Sequence, residues 1–372
     1  MKHEQMNSVL FFTLALLPLL YYAISIIHSP LFPTQNSDHR KKLEALLIPG
    51  AIGPESVAFD SLGDGPYVGI SDGRIIKWSH HKRHWTNFST ISHHREGCEG
   101  AHDHHQTEHI CGRPLGMCFN ERTGELYIAD AYLGLRKVGP EGGVSTPIAT
   151  HAQGATIGFT NGLDINHSDG TIYFTDSSSL HQRRNYISLI LSGDRTGRLM
   201  KYDPQSQQVI VLLENLSFPN GVALSEDGSY LILAETTYCR ILRYWLKTSK
   251  AGTVEVFAQL PGFPDNIKRS PRGGYWVAMH TRRLMITGWI ISNPWIGNAL
   301  LKLPIDIMKA YAVFSKYTGS GLAVRLSEDG DVLETLEDKI GNRIRSLSEV
   351  QEKDGVLWIG SIAMPFLGMY KM

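Results

Sequence analysis

The sequence lacks a net charge and a basic stretch of the kind that binds nucleic acid. Its 36 lysine and arginine residues are balanced by 36 aspartate and glutamate residues over 372 positions, and no basic stripe has aromatic residues between its charges. A chain without a basic excess has no electrostatic means of attracting nucleic acid. Nucleic acid is therefore excluded as a partner, and a small-molecule substrate is expected.

Segments with helical periodicity are also scarce. Only residues 295–314 carry a pattern that predicts one or two short helices, whereas short strand patterns recur along most of the chain. A chain of 372 residues with 42% hydrophobic residues can bury a large core as one or two domains. These features favour an all-β fold.

Cysteine is rare, with four residues in the chain. Cys98 and Cys111 bracket a compact insertion, which a disulfide between them would close, whereas Cys118 and Cys239 lie in strand-like runs and are expected to be buried free thiols. Three N-glycosylation sequons begin at Asn87, Asn166 and Asn215. Together these features favour the lumen of the secretory pathway, either the endoplasmic reticulum or a vacuole.

Long apolar runs are limited to the N-terminus, where residues 9–27 carry no charge. This run of roughly 19 residues is about as long as a membrane span and longer than the usual apolar core of a signal peptide. No small-residue cleavage motif follows it, so residues 1–30 are predicted to be an uncleaved signal anchor, with a cleaved signal peptide as the alternative. The polar residues 31–45 are expected to form a linker. The chain would then contact a membrane through this segment.

The remaining residues, 46–372, repeat one short unit. Its clearest copy is FTNGLDINHSDGTIYFTD at residues 159–176, which predicts a β-hairpin with a polar side chain at its mouth and an Asp-Gly turn. Five further copies are found, and the six begin at Gly53, Gly112, Phe159, Phe218, Phe263 and Arg345. Six repeats of a hairpin predict a six-bladed β-propeller. A β-sandwich is the alternative, but it gives no reason for the repetition.

The residues just before the innermost strand of each blade should meet at one mouth of the central tunnel. Aligning the units places these residues there: Glu55, Arg113, Pro114, Asn161, Asn220, Asp265 and the segment from Ser346 to Ser348. Two carboxylates and two amides supply the oxygen ligands that Ca²⁺ prefers. The alternative is that Asn-Gly and Pro-Asp are only turn residues. Against it, a separate turn follows seven to nine residues after Glu55, Asn161 and Asn220.

Several phrases of the sequence, including GRPLG, FTNGLDI, FPNGVALSEDG, GTVEVFAQLPGFPDNIKR and QEKDGVLWIG, resemble the strictosidine synthase family of plants and its animal relatives. The Cys98 to Cys111 spacing resembles a disulfide of that family. More remotely, the series Glu55, Asn161, Asn220, Asp265 is similar to the calcium sites of paraoxonases, diisopropylfluorophosphatase and gluconolactonases. That resemblance implies a six-bladed propeller that hydrolyses lactones, esters or organophosphates.

One departure from the family pattern concerns the synthase reaction, a Pictet-Spengler condensation. The resemblance implies that the glutamate acting as its base corresponds to Ser348, and a nearby family histidine to Ser346. A serine hydroxyl is not a competent base for an ammonium proton. Glu349 is adjacent, but neighbouring strand residues point to opposite faces, so it is not expected to substitute. Strictosidine synthase activity is therefore not expected.

Three functions are compatible with the sequence. The favoured one is a calcium-dependent esterase or lactonase in which Ca²⁺ polarises the substrate oxygen and Asp265, or else Glu55, acts as nucleophile or base. The second is a condensing enzyme with another amine or aldehyde. The third is a noncatalytic propeller whose calcium is structural and whose rim binds a partner.

Two further groups of residues remain open. The histidines of GAHDHHQTEHI lie inside the loop between Cys98 and Cys111, and their spacing matches neither an HExxH helix nor a zinc finger; they are His102, His104, His105 and His109. They are either solvated lid residues or the source of a histidine base above the tunnel. Arg282 and Arg283 are expected on a loop rim, where they are solvated or orient an anionic substrate.

Overall fold

The computed structural model describes residues 43–100, 102–318, 320–338 and 344–372, and these residues form six antiparallel sheets arranged as propeller blades. The inner strands of the blades contact one another in cyclic order around a central axis. The predicted all-β, six-bladed propeller is confirmed, and the β-sandwich alternative is wrong.

The first three blades follow one another along the chain. Blade 1 contains β2 (Val57–Ala58), β3 (Tyr67–Gly69), β4 (Arg74–Ser79) and β5 (His84–Thr90), with a short parallel strand, β9 (Gly143–Val144), added at its edge. Blade 2 contains β6 (Pro114–Phe119), β7 (Leu126–Asp130), β8 (Gly134–Val138) and β10 (Thr146–Ala149). A separate hairpin of β11 (His151–Ala152) and β12 (Ala155–Thr156) precedes blade 3, which contains β13 (Thr160–Ile165), β14 (Ile172–Asp176), β15 (Gly197–Asp203) and β16 (Gln208–Leu216).

The last three blades repeat the same order. Blade 4 contains β17 (Pro219–Leu224), β18 (Tyr230–Glu235), β19 (Arg240–Trp245) and β20 (Val254–Gln259). Blade 5 contains β21 (Gly262–Arg269), β22 (Tyr275–Arg282), β23 (Gly321–Leu326) and β24 (Val332–Asp338). Blade 6 contains β25 (Leu347–Lys353), β26 (Val356–Ser361) and β27 (Phe366–Lys371), and its outermost strand is β1 (Leu43–Leu47).

Strand β1 closes the ring, because it pairs antiparallel with the C-terminal strand β27 from Leu43 opposite Tyr370 to Leu47 opposite Phe366. Residues 43–45, which the sequence prediction assigned to the linker, lie in this strand. The predicted signal anchor lies outside the described residues. Within them, no helix is long and apolar enough to cross a bilayer.

The second strand of each blade shows why the sequence forms these sheets. Strands β7, β14 and β18 are buried at every position, because each is covered on both faces by the neighbouring blades. The outer strand β16 instead is exposed or partly buried at every position except the last, as expected at a sheet edge.

In the part of the chain that the structure describes, five helices lie outside the blades. The shortest, α1 (Glu108–Cys111), lies in the blade 1 to blade 2 connection, and α2 (Tyr186–Ser192) joins β14 to β15. The connection from β22 to β23 contains α3 (Met285–Ser292), α4 (Pro294–Leu301) and α5 (Ile307–Thr318). Helices α4 and α5 confirm the prediction of short helices in residues 295–314, whereas α3 was not predicted. Short 3-10 turns cover His104–Gln106, Arg183–Asn185 and Thr236–Tyr238.

The inner strands pack so closely that glycine is required after the site asparagines. A Cβ atom added to Gly162 would lie 2.6 Å from the carbonyl oxygen of Asn220, and one added to Gly221 would lie 2.5 Å from Asn266 Cα. These obstacles are backbone atoms and cannot move aside. Glycine therefore follows Asn161 and Asn220 because neighbouring inner strands touch there, and neither position is a turn.

Replacing Gly162 with alanine is expected to lower the free energy of unfolding by about 1–3 kcal/mol, because the added methyl group overpacks two inner strands. Urea unfolding followed by tryptophan fluorescence measures this change. Alanine at exposed Gly139, where an added Cβ meets no atom within 4 Å and the backbone does not have a positive φ, is the matched comparison. A Gly162 variant that unfolds like the wild type would contradict the close approach of the inner strands.

Candidate active site

The predicted ligand residues lie at the start of the inner strands, where the regular pairing is interrupted. The register of β13 shifts between Thr160 and Leu163, and that of β17 between Pro219 and Val222. The register of β21 shifts between Pro264 and Ile267. Such bulges turn a side chain away from the usual alternation. They lie at the positions of Asn161, Asn220 and Asp265, all of which line one pocket.

The orientation of the Asn161 amide is determined by its neighbours. Ser177 Oγ donates a hydrogen bond to the carbonyl oxygen of Pro219 at 2.7 Å, so it must accept the hydrogen bond from Asn161 Nδ2 at 3.0 Å. The Asn161 Oδ1 atom is thereby turned away from Ser177.

Three buried oxygens at the pocket floor have no hydrogen-bond partner among the described residues: Asn161 Oδ1, Asn220 Oδ1 and Asp265 Oδ1. Buried polar atoms are almost always paired, so three such acceptors in one place need an explanation. A cation that takes oxygen ligands supplies one. The arrangement therefore fits Ca²⁺ by the chemistry of its donors.

Glu55 lines the same pocket but has arginine partners. Its Oε2 atom lies 2.8 Å from Arg113 Nη2 and 3.6 Å from Arg183 Nη2. Arg183 also lines the pocket, and its Nη1 atom donates to Glu108 Oε1 at 2.8 Å. The Glu55 carboxylate would thus be shared between a bound cation and two guanidinium groups.

Two charged side chains of this network come from the loop closed by the disulfide and from the residues just after it, namely Glu108 and Arg113. Glu108, in α1, accepts hydrogen bonds from Arg183 Nη1 and, at 2.9 Å, from Tyr132 Oη. Burial raises the pKa of Glu108, but Arg183 and Arg113 outweigh burial and hold the pKa below its ordinary value. The predicted disulfide is confirmed, with Cys98 bonded to Cys111 at the end of the same helix.

Asp265 is in the opposite situation. Burial, and then the charge of Glu55, raise the pKa of Asp265 well above its ordinary value. Two carboxylates in one buried site disfavour each other's charge. A cation held between them would remove this penalty, so both the charge and the unpaired oxygens favour a metal ligand role for Asp265.

Above these polar groups the pocket is apolar, with a cavity volume of about 140 Å³. Its walls come from the propeller and from helices α2, α3 and α5, and the apolar lining includes Leu115, Phe159, Phe218, Phe263, Ile290 and Phe314. A pocket with apolar walls and a few polar groups at its base is typical of a small-molecule site.

His280 was not predicted. It lies near the end of β22, lines the pocket, and its Nε2 atom is 3.0 Å from Tyr311 Oη of α5. Tyr186 of α2 contacts the His280 ring edge to face. Burial, and then the charge of Arg183, lower the pKa of His280 to about 4, so the imidazole is neutral at pH 7. A polar residue ending the apolar run YWVAM was the available signal in the sequence.

Because the pKa of His280 is depressed, the unfolded chain binds a proton near pH 6 while the folded chain does not. Stability should therefore fall as the pH drops from about 6.5 towards about 4, by on the order of 2 kcal/mol. Replacing His280 with phenylalanine should reduce this loss, as measured by urea unfolding at pH 7 and pH 5. The same substitution at exposed His151 should leave the pH dependence unchanged.

The histidine cluster does not reach the pocket. The ring of His104 is buried, with Nδ1 2.7 Å from Ser71 Oγ, and it contacts the ring of His102. None of the described histidines in this loop lines the pocket. The loop instead reaches the pocket network through Glu108, which accepts a hydrogen bond from the pocket residue Arg183. Sequence spacing could not reveal this, because α1 meets Arg183 only in the folded chain.

The two serines that replace the synthase base and histidine, Ser348 and Ser346, do not line the pocket either. Ser348 Oγ donates to the carbonyl oxygen of Glu55 at 2.6 Å. Glu349 accepts from the backbone nitrogen of Val57 at 2.6 Å and lies 3.6 Å from Lys268 Nζ. The position of the family's base is therefore taken by a hydroxyl that is bonded to the protein backbone.

The remaining predicted residues are the rim arginines, the sequon asparagines and the two cysteines outside the disulfide. Arg282 lines the pocket and its guanidinium is paired with Glu337 at 2.6 Å, while Arg283 is exposed. The sequon residues Asn87 and Asn215 are exposed, and Asn166 is partly buried. Glycosylation stays a prediction. The two cysteines outside the disulfide, Cys118 and Cys239, are free, and Cys239 is buried while Cys118 is partly exposed.

Together, these features define a six-bladed propeller with a capped small-molecule pocket at one mouth of its tunnel. The sequence matches the strictosidine synthase family over residues 161–249 and the N-terminal family of strictosidine synthase-like proteins over residues 37–78. It is 57% identical over 335 residues to strictosidine synthase-like 2 of Arabidopsis thaliana, covering 88% of this chain and 89% of that protein. It is 49% identical over 323 residues to strictosidine synthase-like 10 of the same plant, covering 87% and 86%. The chain belongs to the strictosidine synthase-like family.

Solved structures of similar fold are more distant in sequence. A gluconolactonase from Xanthomonas campestris has a TM-score of 0.58 at 13% identity and covers 92% of this chain and 99% of its own. A luciferin-regenerating enzyme has a TM-score of 0.56 at 11% identity, covering 89% and 95%. Regucalcin of Agrobacterium tumefaciens, a calcium-binding protein, has a TM-score of 0.51 at 12% identity, covering 87% and 93%. At these identities the likeness establishes the fold alone.

Proposed function

We propose that this protein is a calcium-dependent hydrolase of esters or lactones. The observation that carries the proposal is the set of three unpaired, buried oxygens of Asn161, Asn220 and Asp265 beside Glu55 at the floor of an apolar pocket. When bound there, Ca²⁺ would polarise the substrate carbonyl and stabilise the negative charge that develops on it.

The residues of the chain supply the other requirements of hydrolysis. The Arg183 guanidinium faces the pocket and would stabilise negative charge on the substrate oxygen. Asp265 is the candidate nucleophile or base, with Glu55 second. Neutral His280 also lines the pocket and is available to hydrogen bond with the substrate, but a pKa lowered to about 4 makes it a weak base at pH 7, so it is not assigned as the base. The apolar walls exclude water and favour an apolar acyl group.

Two observations bear on the alternatives. The condensation reaction needs a carboxylate base, and Ser348 is instead hydrogen bonded to the backbone of Glu55. A noncatalytic calcium propeller would share the ligand set, so only turnover separates it from a hydrolase. The gluconolactonase of the same fold supports the hydrolase proposal by analogy of fold alone.

The direct test is elemental analysis of the purified full chain, with hydrolysis of phenyl acetate and of a panel of lactones before and after chelation. We expect about one calcium per chain and turnover that chelation removes and added calcium restores. Calcium without turnover would support the noncatalytic propeller, and turnover that survives chelation would contradict the metal mechanism.

The sequons and the apolar N-terminus further support a lumenal location, in the endoplasmic reticulum or a vacuole. A shift in gel mobility on enzymatic deglycosylation, lost when the three sequon asparagines become glutamine, tests this location.

A further inference from the structure

Helix α3 is apolar on two sides, and the propeller covers only one of them. Ile290 and Ile291 line the pocket, whereas Met285 and Trp289, one helical turn apart, have 77% and 55% of their surfaces exposed. A helix that is apolar all round is normally buried in a protein core or in a membrane. The described residues leave the outer side of α3 uncovered.

The exposed apolar surface continues beyond α3. Trp295 at the start of α4 is 70% exposed, and Leu303 and Ile305 after α4 are also exposed. We call Met285, Ile286, Trp289, Trp295, Leu303 and Ile305 the cap surface. Helices α3 and α4 contact each other, so these residues belong to neighbouring elements. Exposed large apolar residues concentrated in this way mark an interaction surface for another protein, a membrane or a ligand.

The two charged residues that bound the uncharged stretch 284–301 are both basic, whereas Asp306 follows Ile305 at the edge of the cap surface. The 18 residues from 284 to 301 carry no charge, and the first acidic residue after them is Asp306. Arg283 and Lys302 lie at the two ends of this stretch, and both are exposed. Tryptophan is enriched where a protein meets a bilayer interface, and lysine and arginine beside it attract anionic headgroups. An apolar centre with basic ends matches a lipid surface.

We propose that the cap surface binds the interface of a lipid bilayer that contains anionic headgroups. The basic ends and the two exposed tryptophans carry this assignment. The apolar residues 9–27 would hold the chain near the same kind of surface. Trp289 and Ile291 are about 200° apart around α3, and Ile291 lines the pocket. Docking would therefore bring lipid next to the helix that forms a pocket wall. Apolar substrates dissolved in the bilayer could then reach the pocket without crossing water.

Tryptophan quenching by brominated lipid tests this proposal on the full chain. The protein is reconstituted into vesicles of phosphatidylcholine with about 30% phosphatidylserine, with bromine on the acyl chains. The chain has seven tryptophans, and none precedes Trp78, so insertion of residues 9–27 alone places no tryptophan in the membrane. We expect quenching in the wild type and its loss in the double variant Trp289→Ser, Trp295→Ser. Trp85→Phe, in strand β5, should retain the quenching.

Two further measurements keep the proposal open to refutation. Arg283→Gln with Lys302→Gln should weaken quenching in vesicles with phosphatidylserine, while leaving quenching in pure phosphatidylcholine unchanged. An unfolding midpoint equal to that of the wild type shows that each variant is folded; a Met285→Cys variant carrying an environment-sensitive fluorophore replaces the tryptophan pair if that pair is unfolded. Equal quenching in the wild type and the double variant, no blue shift of the fluorophore on adding lipid, or crosslinking of that cysteine to a second copy or another protein would overturn it. None of these readouts depends on hydrolysis.

Discussion

Asparagine in place of Asp265 is expected to lower kcat/KM for ester hydrolysis by on the order of 10²–10³-fold. The substitution keeps the shape and the oxygen of the side chain but removes its charge. If Asp265 holds the cation and activates the attacking water, both functions fail together. The measurement is kcat/KM for phenyl acetate at saturating calcium, with calcium content determined on the same sample.

In the absence of calcium, the same variant should be no less stable than the wild type. Burial and Glu55 raise the pKa of Asp265, so the ionised carboxylate is unfavourable in the folded chain at pH 7, and removing it should not destabilise the chelated protein. Added calcium should raise the unfolding midpoint of the wild type more than that of the variant. Asp329→Asn, at an exposed turn, is the matched control. Unchanged turnover in Asp265→Asn would remove this residue from the mechanism.

The repeated unit explains how much of this site could be predicted from sequence. Asn161, Asn220 and Asp265 occupy the same phase of three hairpins, and a propeller necessarily brings such positions to one mouth. The identities of these residues were therefore sufficient to place them together. Their orientation was not predictable, because it depends on bulges at the start of the inner strands.

The remaining pocket residues lie outside the repeat. Arg183 belongs to a 3-10 turn in the β14 to β15 connection and Tyr311 to α5, so only tertiary structure brings them to the site. His280 lies on a second strand, whose other residues are core positions. Strand β1 was missed for a similar reason, since its partner β27 is at the far end of the chain. The disulfide was predicted because its two cysteines bracket one insertion and their spacing resembles that of the family disulfide.

Methionine in place of Arg113 is expected to destabilise the folded chain by about 3–5 kcal/mol at pH 7. The substitution leaves the buried carboxylates of Glu55 and Glu108 without one of their two arginine partners. Arg113 is 1% exposed, Glu55 and Glu108 are nearly as buried, and Arg183 alone would then face both. Urea unfolding in the presence of a chelator measures the loss. Adding Glu55→Gln to this variant should recover much of it, since the unpaired charge is then removed.

Calcium should stabilise the Arg113→Met protein more than it stabilises the wild type. In the wild type the Oε2 atom of Glu55 lies 2.8 Å from the Arg113 guanidinium, and a cation must share that carboxylate. Without Arg113, Glu55 is available to the metal, and each tenfold gain in calcium affinity adds about 1.4 kcal/mol at fixed high calcium. Equal calcium shifts in the two proteins would mean that Glu55 serves the arginine network and not the metal. The cation would then rest on Asn161, Asn220 and Asp265, and Glu55 could not be the second candidate nucleophile.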